Sequence, residues 1–150
     1  MLQKKHHMAH VKVWLHVVWA TKERRPYLED TIRKKVLQHI KENAKLKNIH
    51  LDTINGHLDH VHCLMGLNTD MTIAKAINLL KGESSFWINK NKLCTSRFEW
   101  CDLYFAASVS ESLLNDVRNY ILNQEKHHEK ISFDEEYRRI IDRYKFKGSE

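Results

Sequence analysis

An α+β fold in the ferredoxin-like order β-α-β-β-α-β, followed by a further helix, is predicted by three features of this 150-residue sequence. Apolar residues alternate with period two over 11–21. They recur at helical spacing over 27–46 and 72–89. Asn55-Gly56 sits between two short apolar runs as a hairpin turn. Strands and helices in that order close into an antiparallel sheet with its helices on one face, and leave the other face open.

Composition bounds the rest. Apolar residues make up 42% and charged residues 29%, with one Pro and four Gly, which suits a single compact domain over 1–150 with no long linker. Residues 1–9 carry Lys4, Lys5, His6 and His7 with no apolar signal core after them. They read as a short disordered segment, and the chain as cytoplasmic with no membrane partner. Cys63, Cys94 and Cys101 are odd in number and lack CxxC spacing, which argues against a disulfide framework or a Cys-rich zinc site. A net charge of +6 favours an anionic partner, of which nucleic acid is the commonest.

Each element follows in order. In the first strand Val11, Val13, Leu15, Val17 and Trp19 share one face, and Lys12, Trp14, His16 and Val18 the other. Lys22-Glu23-Arg24-Arg25 makes a charged turn, and Pro26 suits the start of a helix. Helix 27–46 buries Leu28, Ile32, Val36, Ile40 and Ala44, with Arg33, Lys34, Lys41 and Lys45 opposite. Residues 49–55 and 60–67 form the hairpin. Helix 72–89 buries Ile73, Ile77, Leu80, Ser84 and Trp87, and Gly82 weakens it locally. A fourth strand, 103–109, runs into Ser108-Val109-Ser110-Glu111, which has the form of a capping box. The helix it opens extends to about residue 128. A short charged helix, 134–144, follows.

Two constellations carry chemistry. His60 and His62 are two apart on a strand, so both imidazoles point one way from Cα atoms ~6.5 Å apart. They lie opposite Val61, Cys63 and Met65, on the open face, which His16 shares. Such a pair can converge on one cation, although a lone His-x-His triplet is also a common surface accident. In the helix ending near 128, Gln124 lies within, and Tyr120 beside, an apolar stripe through Leu113, Leu114, Val117 and Ile121. Being four apart, the two share a helical face. One reading is a packed tyrosine next to a glutamine that bonds backbone. The other makes both of them reactive, since a phenol hydroxyl can attack phosphorus and an amide oxygen is a hard ligand for Mg²⁺ or Mn²⁺.

At these residues the sequence resembles the single-tyrosine transposases of the HUH (His-hydrophobic-His) endonuclease superfamily. The similarity is to the insertion-sequence 200/605 type and its relatives associated with repetitive extragenic palindromes. Besides His60-Val61-His62, it rests on the run from Trp19 to Pro26, on Asp59 after Asn55-Gly56, and on Leu80-Lys81-Gly82-Glu83-Ser84-Ser85. Phe98-Glu99-Trp100, the run from Tyr120 to His128, and Phe133-Asp134-Glu135-Glu136-Tyr137 complete it. The sequence departs from the family pattern at Leu58, where Pro is common, and after Trp100, where glycine is usual.

The resemblance implies a DNA transposase that cleaves and rejoins single-stranded DNA at hairpin-bearing ends through a 5′-phosphotyrosine. It implies Tyr120 as nucleophile, and His60, His62 and Gln124 as ligands of Mg²⁺ or Mn²⁺, with no small-molecule cofactor. It further implies a homodimer, in some members with the tyrosine helix of one subunit completing the histidine site of the other. Lys12, Trp14, Lys22, Arg24 and Lys81 are the expected DNA contacts. Two other readings of the same residues are a non-catalytic nucleic-acid-binding module, which would not need the tyrosine, glutamine and histidine set, and a metal phosphoesterase without a covalent intermediate.

Overall fold

The computed structural model describes residues 10–144, so the reading of 1–9 lies outside the described residues. The described residues form β1 (Trp14–Ala20), α1 (Asp30–Leu46), β2 (His50–Gly56), β3 (His60–Gly66), α2 (Ile73–Lys90), β4 (Phe105–Val109), α3 (Leu114–Leu122), α4 (Gln124–His128) and α5 (Phe133–Tyr144), with two short 3₁₀ turns between them. The four strands form one antiparallel sheet in the order β2-β3-β1-β4, as the α+β reading requires. No helix among the described residues is long and apolar enough to cross a membrane.

Period-two alternation sorts the sheet. Leu15, Val17 and Trp19 of β1, with Val61, Cys63 and Met65 of β3, face α1 and α2. They meet Val36, Ile40, Ala44, Ile77, Leu80 and Ile88 in the main core. Each fully buried aliphatic side chain there contributes ~1.5–3 kcal/mol of apolar burial. The segment before β4 is tied to α2 by side chains. Asn89 brackets the backbone of Phe98 from both sides (2.8 and 3.0 Å), and Trp100 Nε1 donates to Ser84 Oγ at 2.9 Å. Lys81 Nζ donates to the carbonyls of Cys101 and Asp102 at 2.6 and 3.3 Å. Two residues of the 80–85 motif, Lys81 and Ser84, are thus engaged in holding this segment.

Three local expectations are corrected. Arg33 is buried, not solvated. Its guanidinium bonds Leu28 O, Asp30 and Glu125, and so links α1 to α4. Ser110 makes no side-chain cap to the helix after it and instead contacts Ser112 Oγ, so no capping box forms. The second sheet face is closed rather than open. Val18 and Phe105 pack under Phe133 and Ile140 of α5, and Leu64 and Val109 under Leu114 and Ile121 of α3. The apolar residues on that face explain the closure, because Val18, Leu64, Phe105 and Val109 would otherwise lie in water.

The edge strand β2 carries a bulge. Leu51 pairs with Met65 and Thr53 with Leu64, which leaves Asp52 as one extra residue. The turn that follows needs Gly56, because a Cβ there would lie 2.4 Å from His60 O.

Candidate active site

His60 and His62 stand next to each other on the α3–α5 side of β3. His62 pairs across the ladder with Val18, two residues from His16 on the same face of β1. Opposite them the expected long helix is broken. Asn123 (φ −96°, ψ 22°) ends α3 and starts α4, so Tyr120 and Gln124 lie on either side of a bend. Two contacts seat α3 on β2. Asn55 Nδ2 donates to the otherwise unpaired carbonyls of Ile121 (3.0 Å) and Leu122 (3.1 Å). Arg118 grips bulged Asp52 with Nε and Nη2, at 2.7 and 3.0 Å.

The structure brings Tyr120, His60, His62 and Gln124 together within one chain, around a residue that the sequence reading overlooked. Glu136 of α5 is 1% exposed. Its Oε1 lies 3.0 Å from His62 Nε2, 3.3 Å from His60 Nε2 and 3.2 Å from His128 Nε2. Its Oε2 accepts from the Tyr120 hydroxyl and from Gln124 Nε2 (3.3 Å), and lies 3.0 Å from His127 Nε2. Potential ligand atoms of His60, His62 and Glu136 lie within 4.8 Å of one another. A signal was available: Phe133, Glu136 and Ile140 form the buried stripe of α5, an acid at a position that periodicity makes apolar.

Electrostatics follow from burial. His62 is enclosed, and burial pushes its imidazole down to about 4, against the pull of Glu136. His16, whose Nε2 lies 2.9 Å from His62 Nδ1, is pushed down to about 3 by burial and by His62. Burial also opposes charge on His60, but hydrogen bonds with Asp59 and Glu136 outweigh it and hold His60 above its usual value. Burial raises Glu136 as well, yet His128, His60 and His62 together keep its carboxyl far below the usual range. Burial, and then the Glu136 carboxylate, push the Tyr120 phenol well up.

The donor set fits a cation. Asp59 Oδ1 lies 2.8 Å from His60 Nδ1 and can only accept, so Nδ1 carries the proton. With the ring neutral, its Nε2 lone pair faces Gln124 Oε1 at 3.2 Å and Glu136 Oε1 at 3.3 Å, both of which are acceptors too. Three lone pairs aimed at one point are stable only around a positive charge, either a proton on His60 or a metal ion. A carboxylate on the far nitrogen is the usual support of a metal-binding histidine. Two imidazoles with two oxygens can serve Mn²⁺ or Mg²⁺.

The family model described as "Transposase IS200 like" matches residues 9–124. The chain belongs to that family. Two curated relatives of this IS200-like transposase are the transposases for insertion sequence element IS200 from Salmonella typhimurium and Salmonella typhi. Each is 26% identical over 115 residues, covering 73% of this chain and 74% of its own. Among solved structures, a protein of Deinococcus radiodurans assigned as a transposase superposes with a TM-score of 0.61 at 24% identity. That match covers 77% of this chain and 93% of the other. A REP-associated tyrosine transposase bound to a REP hairpin gives 0.51 at 15% identity, covering 77% and 66%. These two neighbours share the fold. The family match stops at Gln124, so His127, His128 and Glu136 lie beyond it.

The expected DNA contacts fare unevenly. Lys12 reaches Glu111 at 3.5 Å and Lys22 reaches Glu99 at 2.9 Å, both at the surface. Arg24 pairs with Asp134 and lies 5.0 Å over the Phe133 ring. Trp14 is partly exposed; its Nε1 donates to Glu111 at 3.2 Å, and its ring meets His50 edge-on. Lys81 is not on a solvated face, since its ammonium is satisfied by two carbonyls in the protein.

Proposed function

We propose that this IS200-like transposase cleaves and rejoins single-stranded DNA through Tyr120. The observation that carries the reading is that the Tyr120 hydroxyl and the His60–His62 pair meet on opposite oxygens of one buried carboxylate, Glu136. Tyr120 Oη attacks the scissile phosphorus and a 3′-hydroxyl departs, leaving DNA joined through a 5′-phosphotyrosine. The ester retains the energy of the broken phosphodiester, so another 3′-hydroxyl can reverse the step. Glu136 Oε2 and His127 Nε2 are the acceptors placed to take the phenolic proton. Asp59 fixes the His60 tautomer, and His16 orients His62.

His60, His62, Gln124 and Glu136 would hold a divalent cation, Mg²⁺ or Mn²⁺, which when bound supplies Lewis-acid polarisation of the phosphate. Lys12, Lys22 and Arg24 are the surface cations offered to DNA phosphates, with Trp14 as the ring beside them and Lys81 no longer among them. The hairpin carried by one structural neighbour supports ends of that form as the substrate. The chain is taken as one transposase domain that pairs as a homodimer, with each tyrosine serving its own histidines.

The test is denaturing electrophoresis of wild type and Tyr120→Phe after incubation with Mn²⁺ and hairpin-bearing single-stranded DNA from the ends flanking the gene. Wild type should give a slow protein–DNA band and a free 3′-hydroxyl fragment, and Tyr120→Phe neither. Cleavage without a band points to a phosphoesterase, and tight binding without cleavage to a binding module.

A further inference from the structure

His60, His62 and Gln124 have no exposed surface, and Glu136 has 1%, so no substrate reaches them through the sheet or through α4. Tyr120 is only partly buried, and its ring borders a cavity of about 520 Å³ between α3 and α5. Tyr120 and Glu136 both line that cavity, which places their paired oxygens at the boundary between it and the histidines.

The lining mixes apolar, cationic and other polar groups, the last including Ser108, Ser110, Asp116 and His127 beside Tyr120 and Glu136. Val109, Leu113, Val117 and Ile140 supply apolar wall. At the solvent side stand Arg139 and Arg143, both exposed and both on α5. Arg139 is engaged with Glu135 at 2.7 Å, whereas Arg143 has no acidic partner among the described residues. Apolar walls that end in guanidinium groups match a flat aromatic ring that bears a phosphate. The volume falls in the range of small-ligand sites, ~300–1,000 Å³.

We propose that this cavity binds one unstacked nucleotide of the single-stranded substrate, the one adjoining the scissile phosphate. Its base lies among Val109, Leu113, Val117 and Ile140, and its phosphate lies toward Arg143. A base drawn out of its stack is held in this way by apolar side chains, and the cost of unstacking is small in single-stranded DNA. The cavity would then do two things for Tyr120: bring phosphorus to the hydroxyl from its only partly open side, and fix the strand's register. The proposal rests on the single-strand reading above, but its test does not need cleavage.

Full-length protein with ¹³C-labelled methyl groups is titrated with dAMP, dCMP, dGMP and dTMP (5′-monophosphates) and followed by NMR. Methyl shifts should concentrate on Val109, Leu113, Val117 and Ile140 and spare Val36 and Ile40 of α1. Val117→Trp, which fills the cavity, should weaken binding at least tenfold while leaving Mn²⁺ affinity unchanged. Arg143→Ala, a surface change that spares the core, should weaken it about threefold to tenfold, less so at high salt. No shifts at these four methyls with any nucleotide, or equal binding by wild type and both variants, overturns the proposal. A protein that shows the shifts yet forms no Tyr120 adduct keeps the cavity and loses the covalent chemistry. An adduct without the shifts does the reverse.

Discussion

At the scale of residues, Asp59 and Glu136 act on His60 from opposite sides, one on Nδ1 and one on Nε2. Their roles separate by calorimetry with Mn²⁺. Glu136→Gln keeps the shape and removes the charge, and should lower affinity by at least tenfold. Asp59→Asn, acting through the ring, should cost roughly ten- to a hundredfold. Equal affinity in wild type and both variants would remove both assignments. The histidine pair, Tyr120 and Gln124 were legible because spacings of two and four each fix a shared face. Glu136 was not. It lies 74 residues from His62 in a segment dense with charge, where an acid reads as solvated. Only the position of Glu136 between Phe133 and Ile140 marks it as inward-facing.

At the scale of elements, α3 matters because it carries Tyr120, and β2 seats it through Arg118–Asp52 and Asn55. The Arg118 guanidinium holds the Asp52 carboxyl below its ordinary 3.8, against the opposing effect of burial. A carboxyl depressed in the folded state adds stability above its unfolded pKa, and loses that contribution as pH falls through the folded value. Wild type should therefore exceed Asp52→Asn by about 1 kcal/mol at pH 7. The gap should close below pH 3.8. Thermal unfolding at a series of pH values measures it, and a pH-independent gap would mean that the ion pair does not hold α3. Period-two and 3.6-residue patterns located the main strands and helices. They could not locate the break at Asn123, because its cause is tertiary: Asn55 takes the final carbonyls of α3 and ends the helix there.

For the whole molecule, one chain assembles the tyrosine, the histidines and both oxygen donors. Mixing inactive Tyr120→Phe with inactive His62→Ala should consequently restore no adduct, even where light scattering and tagged-subunit exchange show mixed dimers. Recovery of activity would mean that the tyrosine helix crosses to a partner. The order of elements along the chain and the helices on the sheet's first face followed from the sequence. The covered second face did not, because the apolar residues there are few and split among β1, β3 and β4. The segment that covers them reads, by its charge, as a solvated tail.

The bulge at Asp52 has a genetic consequence. Remove that residue and the ladder becomes regular: Thr53 still faces Leu64, Leu51 still faces Met65, and every other β2 side chain keeps its side. Asp52 behaves as a one-codon insertion to which the sheet is indifferent and on which the seating of the tyrosine helix depends. An in-frame deletion of Asp52 should leave circular dichroism and Mn²⁺ binding close to wild type while sharply reducing covalent capture of DNA. Loss of the fold on deletion would show that the strand, and not the helix, requires the extra residue. If the helix is what requires it, loss or gain of a single codon disconnects or connects the nucleophile while the scaffold survives.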